Sequence, residues 1–273
     1  MQYRFRPLID NFLCGILLRY KKKVFVVNTA THEVSLVFEN LGDFIFSAAL
    51  HSVSNASSIG YVFEEDGKHY KLVHKDTSFK TIISGILFNF DSFLVSSYRG
   101  VTSISSSNFM DSEFFEWKSC LTTISWSPDK SFIAAGTQEN QIHFWPYPLE
   151  KDKGFQMGGY PSKISKMIWS KNSYKFFVNS KNDVHIWDFS DGAPIGKMPE
   201  ALACGIGKIV DITFQDTILV AISDQGAISH FLPSKSREFF QIHALEDDLC
   251  CVSINHVEDE VYVGSKSGLL YCF

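Results

Sequence analysis

Residues 119–145 read SCLTTISWSPDKSFIAAGTQENQIHFW, and this stretch sets the architecture. It divides into Leu121 to Trp126, a Ser127-Pro128-Asp129-Lys130 turn, Phe132 to Thr137, a polar corner at Gln138-Glu139-Asn140, and Gln141 to Trp145. The apolar segments are short and rich in β-branched and aromatic residues, which is the composition of strands. Pro128 fixes its own φ and the Asp129 carboxylate can bond nearby backbone, so the first connection is a turn with a mechanism.

The rest of the chain repeats this unit. Aligned on the residue that opens the third strand, the copies begin at Glu33, Lys68, Val101, Gln141, Asp183, Ala227 and Leu269, at intervals of 33 to 44 residues. Propeller blades recur at roughly 40–45 residues, so the alignment predicts about seven of them. Six copies are preceded by matching corners: Asp66-Gly67, Arg99-Gly100, Glu139-Asn140, Lys181-Asn182, Gln225-Gly226 and Ser267-Gly268. Gly and Asn accept the positive φ of a tight hairpin. Ala30-Thr31-His32 is the weakest corner.

Several of these residues resemble those of the WD-repeat β-propellers. They are Trp126-Ser127-Pro128-Asp129, Ala134-Ala135-Gly136, His143-Phe144-Trp145 and, most specifically, Val184-His185-Ile186-Trp187-Asp188 with the Trp-Asp dipeptide. Residues 115–145 together with Gln156-Met157-Gly158-Gly159-Tyr160-Pro161 are similar to a group of bacterial WD-repeat proteins. The chain departs from the family where Pro146 follows Trp145 and where no Gly-His dipeptide opens a blade. The resemblance therefore implies an incomplete form of the hydrogen-bonded tetrad of His, Asp, Ser and Trp.

The expected fold is an all-β, single seven-bladed propeller of four-stranded antiparallel blades. It spans 1–273, with approximate blades at 10–41, 42–77, 78–118, 119–160, 161–204, 205–246 and 247–273. Because the last copy holds three strands, residues 1–9 are expected to add the fourth, close the ring and cover an edge. A chain of 273 residues with 45% hydrophobic content and 25 Phe suits many short strands with buried faces.

A formal net charge of −5 argues against nucleic acid as a default partner. The six cysteines include no C-x-x-C pair, so no zinc ribbon or redox motif is expected, and they read as buried thiols. Cys250 and Cys251 are expected to point to opposite faces of a strand. Trp126 and Trp169 hold equivalent places and read as core. His143 and His185 also coincide, and alternation with Ile142, Phe144, Val184 and Ile186 predicts that they face away from the apolar side. Gly205-Ile206-Gly207-Lys208 lacks phosphate-loop spacing. No nucleophile motif, metal site or cofactor is expected. Phe12 to Leu18 is too short to span a bilayer.

The hairpins joining second and third strands of a propeller emerge on one face. The alignment places Lys68, Tyr98, Arg99, Gln138, Glu139, Asn140, Lys181, Asn182, Asp224, Gln225 and Lys266 in such a ring of corners. Mixed charges, amides and a Tyr suit a protein or peptide partner, with Tyr98 and Arg99 as anchors. The function expected is that of a non-catalytic cytoplasmic scaffold or adaptor, either a monomer or a subunit of a hetero-complex. It is expected neither to bind nucleic acid nor to insert into a membrane. A propeller hydrolase or lyase with its site in the channel is the alternative, and a scaffold mimic delivered into another cell is a third reading.

Overall fold

β-Branched and aromatic residues broken every few positions by turn formers give strands, and among the described residues all regular structure is strand. The computed structural model describes 10–12, 15–20, 23–28, 34–38, 44–46, 52–55, 60–66, 69–76, 83–89, 92–105, 107–108, 110–150, 153–203, 207–215, 217–232, 240–255 and 260–273. Residues 1–9, expected to close the ring, lie outside this set, as does Lys68. There are two compact units, Pro7–Ile124 and one built on Ser125–Phe273.

In the first unit, Asp10–Phe12, Gly15–Tyr20, Lys23–Asn28 and Val34–Phe38 form the first sheet. The second comprises Phe44–Phe46, Ser52–Asn55, Gly60–Asp66 and His69–Asp76, and the third Ile83–Asn89, Ser92–Ser97, Gly100–Ser105 and Ser112–Glu116. All pair antiparallel in sequence order. The sequence alignment slips here: the strands it opens at Glu33 and Lys68, Val34–Phe38 and His69–Asp76, are the fourth of their sheets. Neither of these fourth strands is marked as such in its own sequence.

The unit boundary falls within Leu121–Trp126, the first strand of a fourth sheet continued by Phe132–Thr137, Ile142–Pro146 and Phe155–Met157. The fifth sheet is Lys166–Trp169, Lys175–Ser180, Asp183–Asp188 and Glu200–Ala203. The sixth is Ile209–Gln215, Ile218–Ser223, Ala227–Phe231 and Phe240–Ala244. Leu249–Asn255, Glu260–Ser265 and Leu270–Cys272 make the seventh, three-stranded among the described residues.

Cores lie between consecutive sheets. Phe176 joins Phe144 and Trp169 in one buried cluster, whereas its neighbour Phe177 joins Ile212 and Leu219 in the next. Ala221 and Val220 alternate likewise between that cluster and one holding Leu249, Val252 and Val263. Middle strands are therefore covered on both faces, which is why Phe176-Phe177-Val178 and Leu219-Val220-Ala221-Ile222 read as continuous apolar runs. The same coverage corrects the reading of the two histidines. His143 and His185 do alternate with apolar residues, yet both are buried, because the second face of their strand meets protein rather than water.

First strands carry a recurring irregularity. Register shifts set Ser84, Val210 and Cys250 apart as the extra residue in three of them. Such a bulge breaks the two-residue alternation and re-aims the following side chain. Cys250 and Cys251 consequently do not point to opposite faces: their sulfurs lie 3.9 Å apart, with Cys251 buried and Cys250 half-buried. Nor are all described thiols buried, since Cys272 is exposed.

The first-to-second turns of the fourth and fifth sheets are copies. Ser127 Oγ accepts from Phe132 N at 2.9 Å and Ser170 Oγ from Lys175 N at 2.8 Å. Asp129 accepts from Ser131 N and Asn172 from Tyr174 N. Lys130 and Ser173 each take the left-handed conformation, with φ of 63° and 62°. The Asp129 amide donates to Ser173 Oγ at 2.9 Å, tying one turn to the next.

Candidate interaction surface

Each second strand from the third sheet onward ends in a buried hydroxyl: Ser97, Thr137, Ser180, Ser223 and Ser265. Several of these hydroxyls shape the corner that follows. Ser223 Oγ accepts from the amides of Gln225 and Ala227, and Ser265 Oγ accepts from Leu269 N at 3.1 Å. Ser97 Oγ donates to the Gly100 carbonyl at 3.4 Å. This hydroxyl was legible as a Ser or Thr directly before five corners, a signal that attention to Gly and Asn overlooks.

The corners themselves are where the expected binding residues fall. Tyr98 and Arg99, in the first unit, join second and third strands and are exposed, Tyr98 by 52%. In the second unit Gln138 and Glu139 are exposed and Asn140 is half-buried, with φ of 58°. Lys181 and Asn182 are exposed, and Lys181 also adopts a left-handed φ of 62°. Gln225 is exposed beside a half-buried Asp224, and Lys266 is exposed in an ion pair with Asp248 at 3.1 Å. Lys68 lies outside the described residues; the strands on either side of it, Gly60–Asp66 and His69–Asp76, are the third and fourth of their sheet.

Corners of the fifth and sixth sheets are joined through 207–209. Lys181 carbonyl accepts from Ile209 N at 3.2 Å, and Asp224 Oδ1 accepts from Lys208 N at 2.8 Å. Gly207, at φ 72°, sits so close to Asp224 that an added Cβ would lie 2.7 Å from its carboxylate. Pro161, Lys181, Asn182, Asp183, Ala203 and Gly207 line an open cavity of about 410 Å³ beside this junction.

The Trp-Asp dipeptide is held by Tyr160, Lys175 and Ser190. Trp187 Nε1 donates to the Tyr160 hydroxyl at 2.7 Å, and burial pushes that phenol's pKa well up. Asp188 is bonded by Lys175 and by Ser190, which hold its carboxyl down at about 2. The neighbouring His185 packs edge-on against Tyr160, with centroids 5.1 Å apart, and burial lowers its pKa despite the nearby Asp183.

A histidine with a lowered folded pKa penalises protonation of the folded state. Its contribution is complete above the unfolded value of about 6.5 and is lost as pH falls through that value toward the folded one. Thermal midpoints at pH 7.5 and 5.5 should therefore drop more for the wild type than for His185→Gln. Equal drops would show that His185 is not the titrating group. His230, lowered mainly by burial, remains common to both proteins.

Among the described residues no group of three or more His, Cys, Asp or Glu could hold a metal ion, and no helix is long and apolar enough to cross a membrane. No family model matches the chain, and no curated protein matches it. Its fold does have counterparts among solved structures. A chain in the crystal structure of the mitotic checkpoint complex matches with a TM-score of 0.80 at 11% identity, covering 100% of this chain and 91% of that one. Antiparallel four-stranded sheets, cores between consecutive sheets and this similarity together establish a β-propeller fold.

Proposed function

We propose that the chain is a non-catalytic protein-interaction scaffold that binds a peptide or protein partner at its second-to-third hairpin corners. The observation that carries this reading is the cavity of about 410 Å³ beside Lys181 and Asn182, whose Gly207 wall abuts Asp224. Its polar rim offers an ammonium, an amide and a carboxylate within one opening, which suits the polar contacts of a protein surface better than a small apolar ligand. The similar chain belongs to a multi-protein complex by its description, which supports a place for this protein in a hetero-complex. Tyr98 and Arg99 remain the anchors we assign to the first unit, and the setting we assign is cytoplasmic.

The test is affinity capture from source-cell lysate with the wild type and with Arg99→Glu/Lys181→Glu/Lys266→Glu. Partners retained by the wild type and lost by the folded variant would support the corners as the working face. Unchanged retention of every partner would sink the reading.

A further inference from the structure

A second opening lies away from the corners, between the outer edges of the fourth and fifth sheets. Its volume is about 390 Å³, within the roughly 300–1,000 Å³ common to ligand sites. One wall follows the edge strand Phe155–Met157 into Gly158 and Gly159, and the other is the connection 194–199 that leads into the edge strand Glu200–Ala203. Tyr160, His185 and Trp187 line it and are all buried.

Three features make this more than an apolar gap. His185 is 9% exposed, yet its Nε2 atom has no hydrogen-bond partner among the described residues. A buried polar atom left unmatched is costly, so a ligand that supplies the match binds the more tightly for it. The Tyr160 hydroxyl accepts the Trp187 indole proton, which leaves its own proton to donate. Finally, Ile195 and Met198 on the rim are 68% and 90% exposed, the pattern of an unfilled anchor site.

We propose that this groove docks an extended peptide segment of a partner protein, one that presents a large apolar side chain next to a carboxylate. The apolar anchor meets Ile195, Met198 and Met157. The carboxylate follows from charge: Lys197 supplies the cationic side chain of the lining, and Tyr160 O–H and His185 Nε2 can each offer a proton to an acceptor. Extended backbone follows from Gly158 and Gly159, which are exposed and lay no side chain over their peptide groups beside an edge strand. The site is independent of the corner surface and stands whether or not that surface binds anything.

The experiment is selection from a displayed library of short linear peptides on the full chain, followed by affinity measurements with the enriched peptides. The expected result is a shared motif of one large apolar residue adjacent to Asp or Glu. Ala201→Arg, at an exposed groove position, should abolish binding. Lys197→Glu should weaken it roughly threefold or more, the scale of one exposed charge pair. Lys181→Glu/Lys266→Glu should leave it unchanged, which separates this site from the corners. Thermal unfolding establishes that each variant is folded, and Ile195→Glu serves as a second groove variant. The proposal is overturned if no peptide is enriched, if the motif lacks either element, or if binding survives both folded groove variants. A concentration-dependent dimer abolished by Ala201→Arg would give the groove to a second copy of this chain and also overturn it.

Discussion

Phe144→Ala is expected to cost about 3–5 kcal/mol of unfolding free energy, the range for emptying a buried aromatic site. Phe144 is fully buried on the third strand of the fourth sheet. Its ring stacks on Phe155 at 4.8 Å and meets Phe176 and Phe189 at 5.4 and 5.7 Å, with Trp169 at 6.4 Å. These partners come from the fourth and fifth sheets and from Phe189, directly after the fifth sheet's third strand, so one ring fills the space between two sheets. The void cannot collapse readily, because each neighbour is held by its own aromatic contacts: Trp169 with Phe176 at 4.4 Å and with Phe189 at 4.8 Å. Guanidinium unfolding should show a lower midpoint at unchanged slope. Phe144→Leu, which keeps most of the volume, should cost less than about 1.5 kcal/mol. Met110→Ala, at a position 88% exposed, should fall within about 0.5 kcal/mol of wild type. A Phe144→Ala loss below that of the leucine variant would show that the inter-sheet core is looser than its contacts imply.

The same region was the most legible in the sequence. Leu121–Trp126 and Phe132–Thr137 are strands at the residues expected, and the third strand, Ile142–Pro146, is displaced by a single residue. Turn chemistry carried that reading, since the Ser127 to Lys130 connection is held by the hydroxyl and carboxylate its sequence displays. Where turn chemistry was ambiguous, position within a sheet was lost. The corner after Asp66 looks like any other tight corner but leads into a fourth strand. Burial was lost for a different reason. Alternation assigns one face of a strand to water, and His143 and His185 lie on strands that have no such face.

The first strands hide their pattern in another way. Ile209 and Ile212, and Leu249 and Val252, are buried pairs three residues apart, each spanning a shift of register. An offset of three belongs to neither face of a regular strand, but a bulge inside the interval restores both residues to the core. Read as a repeated spacing, it would have marked Asp211 and Cys251 as re-aimed. The groove beside His185 was beyond this kind of reading altogether. Its walls, at 156–160 and 194–201, each combine part of an edge strand with the connection beside it, and only the pairing of sheets brings them together.

Asp211→Ala is the second large effect expected, at about 3 kcal/mol. The side chain follows the Val210 bulge and is nearly buried. Its Oδ2 accepts from Val252 N at 3.0 Å in the seventh sheet, and its Oδ1 accepts from Ile212 N at 2.9 Å and lies 3.3 Å from Lys166 Nζ in the fifth. One carboxylate therefore connects three consecutive sheets. Removing it takes this acceptor from two buried amides, at about 1–3 kcal/mol for a group left unmatched, and removes the Lys166 ion pair as well. The asymmetry of the pair makes a sharper statement. Lys166 is 38% exposed and can turn to water, so Lys166→Met should cost less than about 1 kcal/mol. Asp211→Asn keeps the shape while replacing an acceptor by a donor in part, and should fall between the two. Hydrogen exchange supplies the local readout: the Val252 amide should lose protection in Asp211→Ala beyond the loss at Val178, a buried residue of the fifth sheet with no bond to this carboxylate. If protection falls equally at both, the carboxylate adds to general stability without joining the sixth sheet to the seventh. If Val252 alone is exposed, the corners at Asp224 and Lys266, carried by the two sheets so joined, should lose affinity for any shared partner while each sheet stays folded.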